Sequence, residues 1–222
     1  MIQTLIQAYI YGLAHNQELL GALLQHLRLV GVALGVGMVV CVPLGVWTSR
    51  SEAVAAAVIN TFNAVRVIPS LAILFLAIPY FGLTFTAAAI ALTILALPPI
   101  LINTDTAFRT IDAAIREAAF GMGMNQWQVL WRVETPLAIP VILAGIKTAA
   151  IEVVASATLA AFIGAGGLGI YVTRGFALYD NSILLVGAIP VALLALITEV
   201  TMNWLQQTVE PPGYGVSHSR LS

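Results

Sequence analysis

Residues 27–47 are nearly all apolar. The run matches the ~20 residues a helix needs to cross the hydrocarbon of a bilayer, and Trp47 closes it where an indole sits at headgroup level. Similar runs recur. A second span is expected over about 53–79, interrupted by Arg66-Val67-Ile68-Pro69-Ser70. Proline removes a backbone donor and turns the residue before it away from helix, so this span is expected to kink or break there. A third is expected over about 83–102, with Pro98-Pro99 near its end, a fourth over 139–163 and a fifth over about 183–205, with Trp204 at its end. Only 9% of the 222 residues are charged and 60% are hydrophobic, where a soluble domain carries roughly 25% charged residues to cover its surface. Most of the exterior therefore faces lipid. The expected fold is an all-α polytopic membrane protein with about five transmembrane helices.

Ahead of the first span, Ile2, Leu5, Ile6, Tyr9, Ile10 and Leu13 fall on one helical face, with Gln3, Thr4 and Gln7 off it. The segment is too short and too polar to span, which predicts an amphipathic helix lying at the interface. The region through Gln25 is expected to continue it after a break near His15-Asn16. The organisation is then an interfacial segment over 1–26, a transmembrane domain over 27–205 and a tail over 206–222. The first 27 residues hold no Lys or Arg, so the n-region of a signal peptide is absent.

Several functions are excluded by composition. A net charge of −1 provides no basic surface for nucleic acid. Cys41 stands alone and forms no intrachain disulfide, and His15, His26 and His218 are too scattered to hold a metal. The stretch 162–171 contains a GxGxxG at Gly164, Gly166 and Gly169, with Gly167 between them. A dinucleotide turn needs a preceding strand and an acid about 20 residues on. Here the glycines end a span and the next acid is Asp180. Two readings remain: a packed, re-entrant bend lining a pathway at membrane depth, where protein or water must shield irregular backbone, or a surface loop.

The long polar excursion covers 103–136 and carries Asp105, Arg109, Asp112, Arg116, Glu117, Arg132 and Glu134. It reads as two short helices with a glycine break. Residues 111–120 form the first, Gly121 and Gly123 end it in a left-handed cap, and Asn125 caps a second with Trp127, Val129, Leu130 and Trp131. Pro136 is expected to stop the segment before the fourth span. Phe120, Met122, Met124, Trp127 and Trp131 are unneeded in a polar loop; they suit either a docking surface or a fold-back onto the membrane. Grouping Arg50, Arg109, Arg116, Arg132 and Arg220 against Arg28 and Arg174 puts this loop and the C-terminus in the cytoplasm and the N-terminus outside.

The pattern Glu117-Ala118-Ala119, followed by Gly123 and Pro136, resembles the EAA loop of bacterial ABC importer permeases. Thr135 stands where that pattern has leucine before its proline. The likeness extends to 66–70, 137–145 and 157–169, spans about 28–205, and resembles the glycine betaine/choline/carnitine osmoprotectant branch. It implies a non-catalytic subunit in a bacterial inner membrane, paired with a second permease copy or a paralogue. It also implies an extracytoplasmic substrate-binding protein and two cytoplasmic ATPases that bind ATP and Mg. No GxxxxGK[ST] occurs, so this chain holds no P-loop of its own. The resemblance implies an ATPase-coupling element of Arg116, Glu117, Ala118, Ala119, Phe120, Gly121, Met122, Gly123 and Met124. Arg116 and Glu117 would make polar contacts, Phe120, Met122 and Met124 apolar ones, the alanines would admit a close approach, and Gly123 would turn the chain. The expected pathway or gate positions are Arg66, Pro69, Ser70, Gly164, Gly166, Gly167 and Gly169.

Arg66, Lys147 and Glu152 lie inside expected spans, where charges are costly and face protein interior. Lys147 and Glu152 sit about 140° apart around a helix and make poor partners, so each is expected to pair across helices or across a dimer, in a packing role or along the path. Tyr80, Phe81, Phe85, Tyr171, Phe176 and Tyr179 suit either an interfacial belt or contact with a quaternary ammonium. Rival functions fit less well. A permease for another solute such as an amino acid shares the same machinery. A secondary transporter would show internal repeats, and a membrane hydrolase needs a base beside Ser156, yet no histidine is expected within a span.

Overall fold

The computed structural model describes residues 2–209; the rest of the expected tail, with His218 and Arg220, lies outside them. The regular elements of the described residues are all helices, joined by short turns, without a strand. Helix α1 (Ile2–Ala14) breaks at His15, whose ring stacks on Tyr11 with centroids 4.2 Å apart. The apolar stripe of α1 stays exposed, while Ala8 is buried and Gln7 meets Ser182 at 3.2 Å. Helix α2 (Asn16–Thr48) runs 33 residues without interruption. Residues 16–26 therefore continue into the helix of the first apolar run instead of forming a helix of their own, and His26 lies within that continuous helix. The reason is tertiary: the polar groups of Gln25 and His26 find partners late in the chain instead of water.

The second span is broken as expected. Helices α3 (Glu52–Arg66) and α4 (Ser70–Phe81) meet at 94°. Helix α5 (Phe85–Arg109) outruns the expected end at 102 because its polar residues bond within the helix. Asn103 Nδ2 donates to Pro99 O at 2.8 Å, Thr104 Oγ1 to Ile100 O at 2.7 Å, and Arg109 pairs with Asp105 four residues back. With these polar groups satisfied and Asp105–Arg109 paired one turn apart, the helix continues past its apolar run.

Helix α6 (Ala113–Gly121) and short α7 (Gln126–Val129) follow, then a π-helical turn, Leu130–Glu134, leads directly into α8 (Thr135–Ser156). Pro136 does not stop the chain. It lies in the first turn of α8, where the ladder has slipped by one residue: Thr135 N–H and Thr135 Oγ1 both donate to Leu130 O, the hydroxyl at 2.8 Å. A π-bulge absorbs a missing donor without ending the helix. The hydroxyl that replaces the usual leucine thus has a local role. The fourth helix ends at Ser156, short of the expected 163, and a 3-10 turn, Leu159–Ile163, precedes the glycines. Helices α9 (Gly169–Ala177) and α10 (Asn181–Val209) complete the chain, with Asp180 Oδ1 accepting from Ser182 N–H at 2.8 Å.

Among the described residues four helices are long and apolar enough to cross a membrane: α2, α5, the helix running from α7 into α8, and α10; the bent α3–α4 pair makes a fifth. The core lies between α2, α4, α5 and α8, rich in alanine. Without water to drive apolar association in a bilayer, helices gain by close van der Waals packing at small residues. A Cβ at Gly145 would press on Asn103 and on the Pro99 carbonyl of α5.

Candidate functional site

Three places concentrate the polar chemistry. The first is the loop between α5 and α8. Asp112 starts α6 by accepting from Ala114 N–H at 2.9 Å. At the other end Met124 N–H reaches Ala119 O and Gly123 N–H reaches Phe120 O, with Gly123 at φ +82°. This is a left-handed helix stop that glycine adopts without strain. Gly121, expected to share that conformation, stays helical. Asn125 and Gln128 exchange side-chain bonds to each other's backbone N–H at 2.9 Å, a complete capping box that starts α7.

The turn exposes Glu117, Ala118, Phe120, Gly121, Met122, Gly123 and Trp127, with Met124 half-buried. Two expected contact residues point elsewhere. Ala119 is buried within the chain. Arg116 Nε donates to Glu134 Oε1 at 2.6 Å and its Nη2 to Phe108 O, so the guanidinium braces this chain instead of reaching outward. Glu134 itself was not singled out from sequence. It is 1% exposed and also takes both arms of Arg50, Nη1 to Oε1 at 3.0 Å and Nη2 to Oε2 at 2.5 Å. Arg109 adds a bond to Thr48 O at 3.1 Å, at the end of α2. One buried carboxylate thus ties the α2–α3 turn and α6 to the head of α8. A cavity of about 600 Å³ opens beside it, between Trp47, Phe120 and Trp127. Nothing local marked it: Glu134 stands beside Arg132 and Thr135 in the polar excursion, and its main partners Arg50 and Arg116 lie 84 and 18 residues away.

The second place is the glycine-rich bend. Gly164, Gly166 and Gly167 take φ of 70°, 81° and 81°, and residues 165–169 are buried. Gln25 Nε2 donates to Ala165 O at 2.7 Å and His26 Nε2 bonds Val154 O at 3.1 Å. A Cβ at Gly166 would collide with the Gln25 amide, and one at Gly169 with the Thr158 carbonyl. This geometry is a packed bend clamped by α2, not a loose surface loop. Gln25 and His26 escaped the sequence reading because their partners lie more than a hundred residues away.

The third is the α3–α4 corner. Arg66 Nη2 stands 3.4 Å from Glu152 Oε1 of α8, with Pro69 at the bend and Ser70 opening α4. Lys147 turns instead to Asn203 Oδ1 of α10, at 2.8 Å. Both charges on α8 thus find partners on other helices. The six aromatics do not gather: Tyr171 is buried, the others are exposed, and of the six only Tyr80 and Phe81 pack their rings, 6.5 Å apart.

Comparison with known proteins agrees with this architecture. Residues 41–211 match the family model for the binding-protein-dependent transport system inner membrane component. The chain is 44% identical over 187 residues to a carnitine transport permease protein of Listeria monocytogenes, covering 84% of this chain and 86% of that one. It is 41% identical over 196 residues to a glycine betaine/carnitine/choline transport system permease protein of Bacillus subtilis (strain 168), covering 88% and 90%. In fold it is similar to a chain of an inward-facing methionine ABC transporter, with TM-score 0.78 and 22% identity over 89% of this chain and 99% of that one. An all-helical polytopic chain with a family match over most of its length is a multi-pass inner-membrane permease subunit of an ABC importer, and it belongs to the binding-protein-dependent transport system inner membrane component family.

Proposed function

We propose that this subunit forms part of the translocation path for a quaternary-ammonium osmoprotectant of the glycine betaine, carnitine or choline type. The observation that carries this reading is the likeness of 44% and 41% to permeases named for those solutes, over more than four fifths of the chain. Two permease chains pair, as copies or paralogues, and an extracytoplasmic binding protein delivers the solute to them. Two cytoplasmic ATPases supply the energy. The arginine-rich end, with Arg50, Arg109, Arg116 and Arg132, faces the cytoplasm, and the N-terminus lies outside. Uptake of radiolabelled betaine, carnitine and choline by cells carrying the complete system tests the substrate class. Import of an amino acid such as methionine, with none of the three taken up, overturns it.

The ATPase docks on the exposed apolar turn of the α5–α8 loop. Met122 is 71% exposed and Phe120 47%, so their apolar surface is free to enter a groove on a partner. Central apolar anchors dominate such interfaces. Met122→Asp is therefore expected to lower ATPase co-purification at least tenfold while leaving insertion and yield unchanged, because nothing inside this chain depends on that side chain. Wild-type co-purification and coupled hydrolysis would place the docking surface elsewhere.

A further inference from the structure

The α3–α4 corner joins three features that are each unfavourable at membrane depth. Arg66 ends α3 and Glu152 lies four residues before the end of α8, both in segments apolar enough to span. Between Arg66 and Ser70 the backbone leaves the helix. Charges and irregular backbone at that depth persist only against protein or a water-filled cavity. All three open on one notch of about 420 Å³, walled by Ile68, Leu95 and Pro98 and edged by Ser70 and Ser156. Small-molecule sites occupy roughly 300–1,000 Å³.

The ion pair here differs in kind from the one at the coupling loop. Arg50 grips Glu134 with two arms, and the Glu134 side chain is 2% exposed. Arg66 touches Glu152 once, at 3.4 Å, and the two side chains are 48% and 41% exposed. Among the described residues Arg66 makes no other side-chain hydrogen bond and Glu152 Oε2 accepts none. The guanidinium keeps most of its five donors available, in the fork that fits a carboxylate.

We propose that the Arg66–Glu152 notch is a zwitterion site on the translocation path, in which the solute carboxylate takes the Arg66 fork and its trimethylammonium group rests against the released Glu152 carboxylate and the apolar wall. The assignment rests on the quaternary-ammonium reading above. When the notch is empty the two charges neutralise each other; when it is occupied each meets the opposite charge of the solute. With the notch empty or a zwitterion bound, no charge is left unpaired in a place where that is costly. A solute with a hydroxyl in place of the carboxylate engages only Glu152 and leaves the half-exposed Arg66 to water.

The complete transporter, reconstituted in liposomes with saturating binding protein, is assayed for ATP-driven uptake of radiolabelled glycine betaine and choline. R66Q is expected to lower betaine uptake at least tenfold and choline uptake less than threefold. E152Q is expected to lower both. R66K retains the charge but loses the fork, so choline uptake is expected at the wild-type level with betaine reduced two- to fivefold. Equal loss of both solutes in R66Q with equal recovery in R66K, or full betaine uptake in R66Q, overturns the site and makes the pair a packing contact. Wild-type transporter that imports neither compound overturns the substrate reading itself, and the zwitterion assignment falls with it.

Discussion

Glu134→Gln is expected to shorten the thermal lifetime of the purified transporter and to cut coupled uptake by at least tenfold. The carboxylate accepts from both arms of Arg50 and from Arg116 Nε. An amide can accept at one atom only, and its NH2 group would face a guanidinium. Removing one partner of a buried ion pair costs about 3–5 kcal/mol when the survivor is fully buried. Here the arginine side chains are 44% and 27% exposed, and water recovers part of the loss, so about 2 kcal/mol is expected. The functional loss should exceed the loss of stability, because this cluster holds α6 against α8 and a displaced α6 moves the exposed turn at Phe120 and Met122, the proposed docking surface, with it. Inactivation half-life and ATP-driven uptake, measured on the same preparation, check both parts. Wild-type uptake with a wild-type half-life would mean that the cluster neither stabilises nor positions the loop.

Gly169→Ala is expected to abolish transport, although it adds a single methyl. Its Cβ would overlap the Thr158 carbonyl oxygen, a backbone atom that no side-chain rotation can move aside. The 3-10 turn and the start of α9 must separate, and the bend held by Gln25 and His26 must shift with them. Overpacking of this kind costs about 3 kcal/mol where relaxation is restricted. Gly31→Ala provides the contrast. That glycine is helical and exposed, with nothing within 4 Å of the methyl that alanine would add, and alanine is the better helix former by up to ~1 kcal/mol. Uptake by the two variants, normalised to membrane-inserted protein, separates a requirement for close packing from a requirement for glycine as such. Equal, wild-type activity in both would remove the case for a rigid bend.

The legible parts of this chain were those governed by local rules. Trp-terminated apolar runs announce spans because a bilayer has a definite thickness, and the break at Pro69 follows from a missing backbone donor. Asn125 was recognisable as a cap because a cap is settled within four residues. Gly123 was recognisable for the same reason, while Gly121 shows the limit: two glycines compete for one left-handed position, and the hydrogen bonds from residues 123 and 124 select the second.

Helix ends governed by partners were not legible. Residues 16–26 looked interfacial because Gln25 and His26 are polar, and only the arrival of Ala165 and Val154 lets them join a spanning helix. Residues 103–109 looked like loop because Asp105 and Arg109 carry charge, yet the two neutralise each other on one helix face. Pro136 looked like a stop, and a one-residue slip closed by the Thr135 hydroxyl carries the helix past it. Arg116 looked free to meet a partner protein until Glu134 took its guanidinium.

By itself, the sequence determined that this chain is a set of membrane-crossing helices with one long polar loop, because hydropathy and turn chemistry act over short distances. The tertiary structure alone decided which charges form buried braces and which meet in a single half-exposed contact. Arg50 with Glu134 is separated by 84 residues and Arg66 with Glu152 by 86, and no local rule distinguishes a bidentate buried pair from a single half-exposed contact. Burial and geometry, which arise only when distant helices pack, make that distinction.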